Sequence, residues 1–211
     1  MTLIKNCGLK SPEEIAQAAS TGASFVGFIH HPSSPRHLAI EDIAPLLAYA
    51  KPRLKSVVVL ANPDDEILYD VAELLQPDYL QLHSVRDIRR IAHITQTLGV
   101  PVITAIAVES AADLITAAAI EEVSTHLLFD AKTPGSGQAF DWTMLRDTLR
   151  GISLAKPWFL AGGLNAGNVV EAMRITHAPM VDVSSGLESS LGIKSLEKIA
   201  AFNAAVLHAK T

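Results

Sequence analysis

Five places in this 211-residue chain hold residue types that could do chemistry. Cys7, followed by Gly8, ends the short run Leu3–Cys7. A thiol there can serve as base or nucleophile, or simply as a small buried hydrophobe. Asp130 closes the apolar run Leu127-Leu128-Phe129. An aspartate at such a boundary commonly caps the next turn, but one drawn out of water holds its proton longer and can act as a general acid. Arg36, in Ser33-Ser34-Pro35-Arg36, is either a solvated loop charge or a planar guanidinium suited to a carboxylate. Late in the chain come two glycine-rich turns, Ala161-Gly162-Gly163-Leu164-Asn165 and Ser184-Ser185-Gly186-Leu187-Glu188. Each alone is an ordinary tight turn. Together they point to a phosphate site, because glycine lets the backbone N–H groups approach an anion.

Three further residues belong with these. Lys5 lies two residues before Cys7 and so shares its face of a strand, as Asp182 does with Ser184. If Asp182 faces inward it can meet Lys5, because an unpaired ammonium inside a protein is expensive. That pair is either purely structural or also a cation that favours the Cys7 thiolate. His83 ends another candidate strand and is a possible supporting group. His30 and His31 are adjacent and would point to opposite faces, and His83, His93 and His126 lack ligand spacing. With no HExxH motif, cysteine cluster or Walker loop, neither metal nor cofactor is expected.

The elements that must position these residues alternate regularly. Candidate strands at Leu3–Cys7, Phe25–Ile29, Ser56–Leu60, Tyr79–His83, Val102–Ala107, His126–Asp130, Trp158–Ala161 and Met180–Val183 are each followed by a helical pattern. The helices are read at Ser11–Thr21, Ile40–Ala50, Asp64–Leu75, Asp87–Thr97, Ser110–Glu121, from Trp142, near Asn168–Arg174, and Ser195–Leu207. Ser11-Pro12-Glu13-Glu14 is an N-cap, a proline at the first helical position and acids in the first turn. Eight such units predict an α/β fold, one (β/α)8 TIM barrel over residues 1–211, with parallel strands and helical crossovers. An open doubly wound sheet would carry GxGxxG after its first strand, and Cys7-Gly8-Leu9-Lys10-Ser11 is not that motif. In a barrel the groups that do chemistry sit at the C-terminal ends of strands, and phosphate is commonly held after the seventh and eighth. The residues singled out above occupy those positions.

Composition narrows the partners. Hydrophobic residues are 49% and charged residues 18% of the chain, which excludes a disordered protein. The formal charge of −5 argues against nucleic acid, which needs a basic surface. A single cysteine forms no internal disulfide and favours the cytoplasm. Neither a secretory signal nor a run of ~20 apolar residues is present, so no membrane is expected.

The chain resembles the phosphoribosylanthranilate isomerase family of tryptophan biosynthesis over essentially its whole length. The resemblance is carried by Lys5-Asn6-Cys7-Gly8, Phe25–Ile29, Ser34-Pro35-Arg36, Tyr79–His83, Leu128-Phe129-Asp130, Gly135-Ser136-Gly137 with Phe140-Asp141-Trp142, Gly162-Gly163-Leu164 through Asn168-Val169, and Asp182–Glu188. It implies a cofactor-free Amadori rearrangement of N-(5-phosphoribosyl)anthranilate to the 1-deoxyribulose 5-phosphate ketose. It further implies Cys7 as general base, Asp130 as general acid, Arg36 on the anthranilate carboxylate, and Gly162, Gly163, Ser185 and Gly186 around the phosphate. The expected partner is that phosphorylated sugar, bound by a monomer or homodimer. Four positions depart from the family pattern: Asn6 replaces an apolar residue or cysteine, Ser84 a glycine, Leu191-Gly192 a Pro-Gly, and Lys194-Ser195 a Lys-Asp. The related histidine-pathway isomerase, which typically has aspartate on its first strand and a two-phosphate substrate, fits less well because of Cys7. A non-catalytic sugar-phosphate-binding barrel is the remaining alternative.

Overall fold

The computed structural model describes residues 2–131, 140–152 and 154–209. Eight parallel strands close in chain order into a barrel: β1 Leu3–Cys7, β2 Phe25–Ile29, β3 Lys55–Ala61, β4 Tyr79–His83, β5 Val102–Val108, β6 His126–Ala131, β7 Trp158–Leu160 and β8 Met180–Val183. β8 returns to β1 with Lys5 opposite Asp182. The period-two rule then sorts the side chains. Phe25, Val57, Val59, Ile103, Leu128, Phe159 and Met180 fill the barrel interior, while Ile4, Val26, Phe28, Val58 and Leu80 face the surrounding helices. Toward the N-terminal ends of the strands the interior is packed with rings. Phe25 meets Phe159 and Tyr79 edge-on at 5.4 and 5.7 Å, and Tyr79 meets His126 at 5.3 Å. That end is closed, so any open space lies toward the other.

The helices begin where the sequence places their caps. Ser11 accepts a hydrogen bond from the Glu14 N–H and opens α1, Pro12–Ser20, with Pro12 at its first position. α2 spans Ile40–Ala50. Asp64 caps α3, Asp65–Asp70, which continues as a π-helical turn through Leu75. Asp87 caps α4, Ile88–Leu98, and Gly99 ends it in the left-handed conformation. One helix was expected over Ser110–Glu121. The structure divides it at Thr116 into α5, Ala111–Ile115, and α6, Ala117–Val123. The Thr116 hydroxyl donates to the Asp113 carbonyl and competes there with the helical ladder. Asp141 caps α7, Trp142–Arg150; α8 is Val169–Thr176; and Ser195 caps α9, Leu196–Leu207. Between β8 and α9 lies a piece the strand–helix alternation misses. A 3-10 turn at Ser185–Leu187 leads into a small hairpin of β9, Glu188–Ser190, and β10, Ile193–Lys194. No helix among the described residues is long and apolar enough to cross a membrane.

Candidate active site

A cleft of about 370 Å³ opens at the C-terminal ends of the strands. Cys7 from β1, Val59 from β3, Gln81 and His83 from β4, Asp130 from β6 and Asp182 from β8 line it, with Arg36 from the loop after β2 at its side. An annex of about 40 Å³ shares Asp130, Asp182 and Ser184 with the cleft and is bounded by Gly162, Gly163 and Ser185. One continuous site thus holds Cys7, Asp130, Arg36 and the glycine-rich turns.

Cys7 is 4% exposed. It fits because Gly27 is its neighbour on β2: a Cβ there would stand 2.7 Å from the sulfur and 3.2 Å from Lys5 Cε. Burial raises the Cys7 thiol above the ordinary cysteine range, outweighing the Lys5 charge, which pulls the other way. Lys5 thus acts in the direction expected of a cation beside a thiol, easing its ionisation, but burial is the larger influence. Lys5 itself is fully buried and donates to Asp182 Oδ1 at 2.9 Å. Desolvation disfavours its charge, but the Asp182 carboxylate and the Cys7 sulfur together more than compensate and raise its pKa.

Asp130 is buried, and the Ala131 N–H donates to its Oδ1 at 2.8 Å. Removal from water, aided by the negative charge of Asp182, raises its pKa to about 7 despite that hydrogen bond and Lys5. It can hold or release a proton at neutral pH. His83 is driven the other way, to about 4, first by burial and then by the positive field of Lys5. It enters the cleft as a neutral ring, with one nitrogen 2.6 Å from Gln81 Nε2.

Arg36 is not the free loop charge that its sequence setting allows. It is 6% exposed, with Nε 2.5 Å and Nη2 2.9 Å from the two carboxylate oxygens of Glu188 on β9. Lys194 of β10 donates to Glu188 Oε1 at 3.1 Å. Sequence reasoning passed over both residues, because a three-residue and a two-residue strand carry no periodic signal. The pointers were Glu188 closing the Ser184–Glu188 motif and Lys194 standing where the family pattern also has lysine.

In the annex Gly162 and Gly163 both take positive φ, +82° and +66°. A Cβ on Gly162 would lie 2.7 Å from the Ala131 nitrogen, so this turn requires glycine. Gly186 follows Ser185 at the edge of the annex and packs on the Leu164 carbonyl, which draws the two turns together. Gly135-Ser136-Gly137 lies outside the described residues.

Two of the departures from the family pattern, Asn6 and Ser84, have local explanations. The Asn6 and Asn203 amides exchange hydrogen bonds of 3.1 Å between β1 and α9, and Asn203 also donates to Thr21 Oγ1 at 2.8 Å. Both are fully buried, so the polar group at position 6 is satisfied by its partner. Ser84 keeps the left-handed backbone, φ +60°, that glycine adopts readily.

Fold and cleft together define a (β/α)8 barrel with a thiol, a carboxyl group held protonated to near-neutral pH and a paired guanidinium around one cleft. The chain belongs to the N-(5'-phosphoribosyl)anthranilate isomerase family, whose profile matches residues 4–205. It is 41% identical to N-(5'-phosphoribosyl)anthranilate isomerase of Bradyrhizobium sp. strain BTAi1, over 95% of this chain and 93% of that protein. Against the enzyme of the same name from Nitrobacter winogradskyi it is 42% identical, over 99% and 94%. The crystal structure of phosphoribosyl anthranilate isomerase from Thermotoga maritima superposes with a TM-score of 0.87 at 31% identity, covering 98% of this chain and 99% of that one. A phosphoribosyl anthranilate isomerase in complex with reduced 1-(o-carboxyphenylamino)-1-deoxyribulose 5-phosphate matches with a TM-score of 0.84 at 30% identity, with the same coverage.

Proposed function

We propose that this chain isomerises N-(5'-phosphoribosyl)anthranilate to 1-(2-carboxyphenylamino)-1-deoxyribulose 5-phosphate in tryptophan biosynthesis, with Asp130 and Cys7 moving the protons. The observation that carries this reading is the common cleft: a carboxyl group with a pKa of about 7 and a thiol enter it from β6 and β1. Protonated Asp130 delivers its proton to the ribose ring oxygen as the anilinic nitrogen forms an iminium with C1. The iminium acidifies the C2 hydrogen, which the Cys7 thiolate removes to leave an enaminol; protonation at C1, with the C2 hydroxyl proton lost to the Asp130 carboxylate, completes the ketose. Gly162, Gly163, Ser185 and Gly186 receive the phosphate, and Arg36 the anthranilate carboxylate. All these groups come from one chain, so a monomer suffices and a homodimer repeats the site. The cytosol suits a lone, reduced cysteine.

The order of the two pKa values matters. Asp130 titrates at about 7, below the raised value of Cys7. The working form holds one proton between the two groups and is populated between those values. Catalysis draws on the microstate with that proton on Asp130 and a Cys7 thiolate, whose formation the Lys5 charge eases. Turnover of N-(5'-phosphoribosyl)anthranilate across pH tests the reading. It predicts a ketose product of unchanged mass and a kcat/KM that rises through pH ~7 and falls only in the alkaline range. No isomer, or a rate already falling through pH ~7, contradicts it.

A further inference from the structure

We propose that Lys194 is a positioning residue that sets the enzyme's preference for a substrate carboxylate, acting through Glu188 on Arg36. This rests on the reading of Arg36 given above and goes beyond it. A guanidinium in a bidentate pair with a carboxylate has spent its charge, and Glu188 engages Arg36 in that way. Arg36 and Glu188 alone form a neutral unit that has little long-range attraction for a second carboxylate.

Lys194 changes that balance. Its ammonium has three N–H donors, and all three are used: on Glu188 Oε1 at 3.1 Å, the Ser184 carbonyl at 2.9 Å and Ser184 Oγ at 3.3 Å. Arg36, Glu188 and Lys194 are each less than 9% exposed, so solvent screens their charges weakly. Among these three buried side chains, two cations against one anion leave one net positive charge, while Lys198 and Lys10, on the Glu188 and Pro35 carbonyls, are more exposed and more strongly screened. Arg36 lines the cleft, and Glu188 and Lys194 do not. The free face of the Arg36 guanidinium is where that charge meets a ligand. The network also reaches the base, since Ser184 Oγ donates to the Cys7 carbonyl at 3.1 Å. A substrate end held at Arg36 is thereby tied to the strand that carries the thiol.

The test compares two ligands by calorimetry: the reduced product, 1-(o-carboxyphenylamino)-1-deoxyribulose 5-phosphate, and its phenylamino counterpart without the carboxylate. Inorganic phosphate serves as a control for the annex. The wild-type chain is expected to favour the carboxylated ligand by ~10-fold or more, in the range of one charge pair at low salt. Lys194→Gln keeps a donor toward Ser184 but leaves the unit neutral, and the preference should fall toward parity with phosphate affinity within ~2-fold of wild type. The double variant Glu188→Gln with Lys194→Gln restores one net positive charge on Arg36 and should recover most of the preference. A wild-type preference in Lys194→Gln, or a double variant no better than the single, overturns the proposal. If the single variant does not fold, Glu188→Gln is compared with the double variant. The preference must be larger in Glu188→Gln, which carries one more positive charge, and equal preferences overturn the proposal. Absence of any preference in the wild-type chain instead removes Arg36 from its assigned role, and this inference falls with it.

Discussion

On the β1–β8 side of the cleft, charged groups are tied to one another. Lys5 is bound to Asp182, and Arg36 and Lys194 converge on Glu188. On the β6 side, Asp130 has among the described residues only the Ala131 N–H. Burial is similar on the two sides, but the outcomes are opposite. Salt-bridged Glu188 stays below the usual glutamate range, held there by Arg36 and Lys194 against the cost of burial, whereas Asp130 rises to about 7. Partners fix a charge, whereas a buried carboxyl group with no salt-bridge partner among the described residues keeps a proton free to move at physiological pH. The division of labour in the cleft follows from this: one wall is a fixed electrostatic frame, and the other carries an acid.

The sharpest way to break this contrast is to unpair the frame. Lys5→Met leaves Asp182 buried without its ammonium and should cost ~3–5 kcal/mol of stability, read as a lower denaturation midpoint at unchanged slope. A loss below ~1 kcal/mol would mean the pair is dispensable to the frame.

The opposite wall predicts a gain. Asp130 has a pKa of about 7 when folded and 3.8 as an ordinary aspartate, so the folded state binds its proton more tightly. Its contribution to stability is complete below pH ~4 and is lost as pH rises through ~7. Asp130→Asn escapes that loss and keeps an acceptor for the Ala131 N–H. At pH 8 it should be more stable than the wild-type chain by ~2–4 kcal/mol, with the difference shrinking toward pH 4. Melting curves at several pH values check this, and a pH-independent difference would show that Asp130 titrates as an ordinary aspartate.

The smallest effect sharpens the comparison at the rim. Ser84 holds φ +60° in an exposed loop next to His83. Ser84→Gly should stabilise the fold by ~0.5–1 kcal/mol in thermal unfolding, because glycine adopts that backbone without strain. Destabilisation would show that the serine makes a compensating contact.

The contrast between the walls also tracks what could be read from the residues. Lys5 and Asp182 were legible because strand periodicity and barrel closure place them on facing positions, and β1 and β8 pair them in register. The acid at the end of β6 was legible from an apolar run ending in aspartate. Its pKa was not, since that depends on how deeply the strand end is buried and on Asp182 across the barrel. Glu188 and Lys194 escaped because five strand residues around a Leu191-Gly192 turn look like loop. The pairing of Asn6 with Asn203 escaped because the partners are 197 residues apart, and an asparagine in a helix ordinarily reads as surface. Local pattern reveals an element, whereas a buried polar pair is settled only by the closed fold.

The most direct test of the account is turnover of N-(5'-phosphoribosyl)anthranilate by Cys7→Ser and Asp130→Asn, with binding of the reduced product measured on the same preparations. If these two groups move the protons, each variant loses at least ~100-fold in kcat while ligand affinity stays within ~3-fold of wild type. Turnover within ~3-fold of wild type in either variant would contradict the role given to that residue.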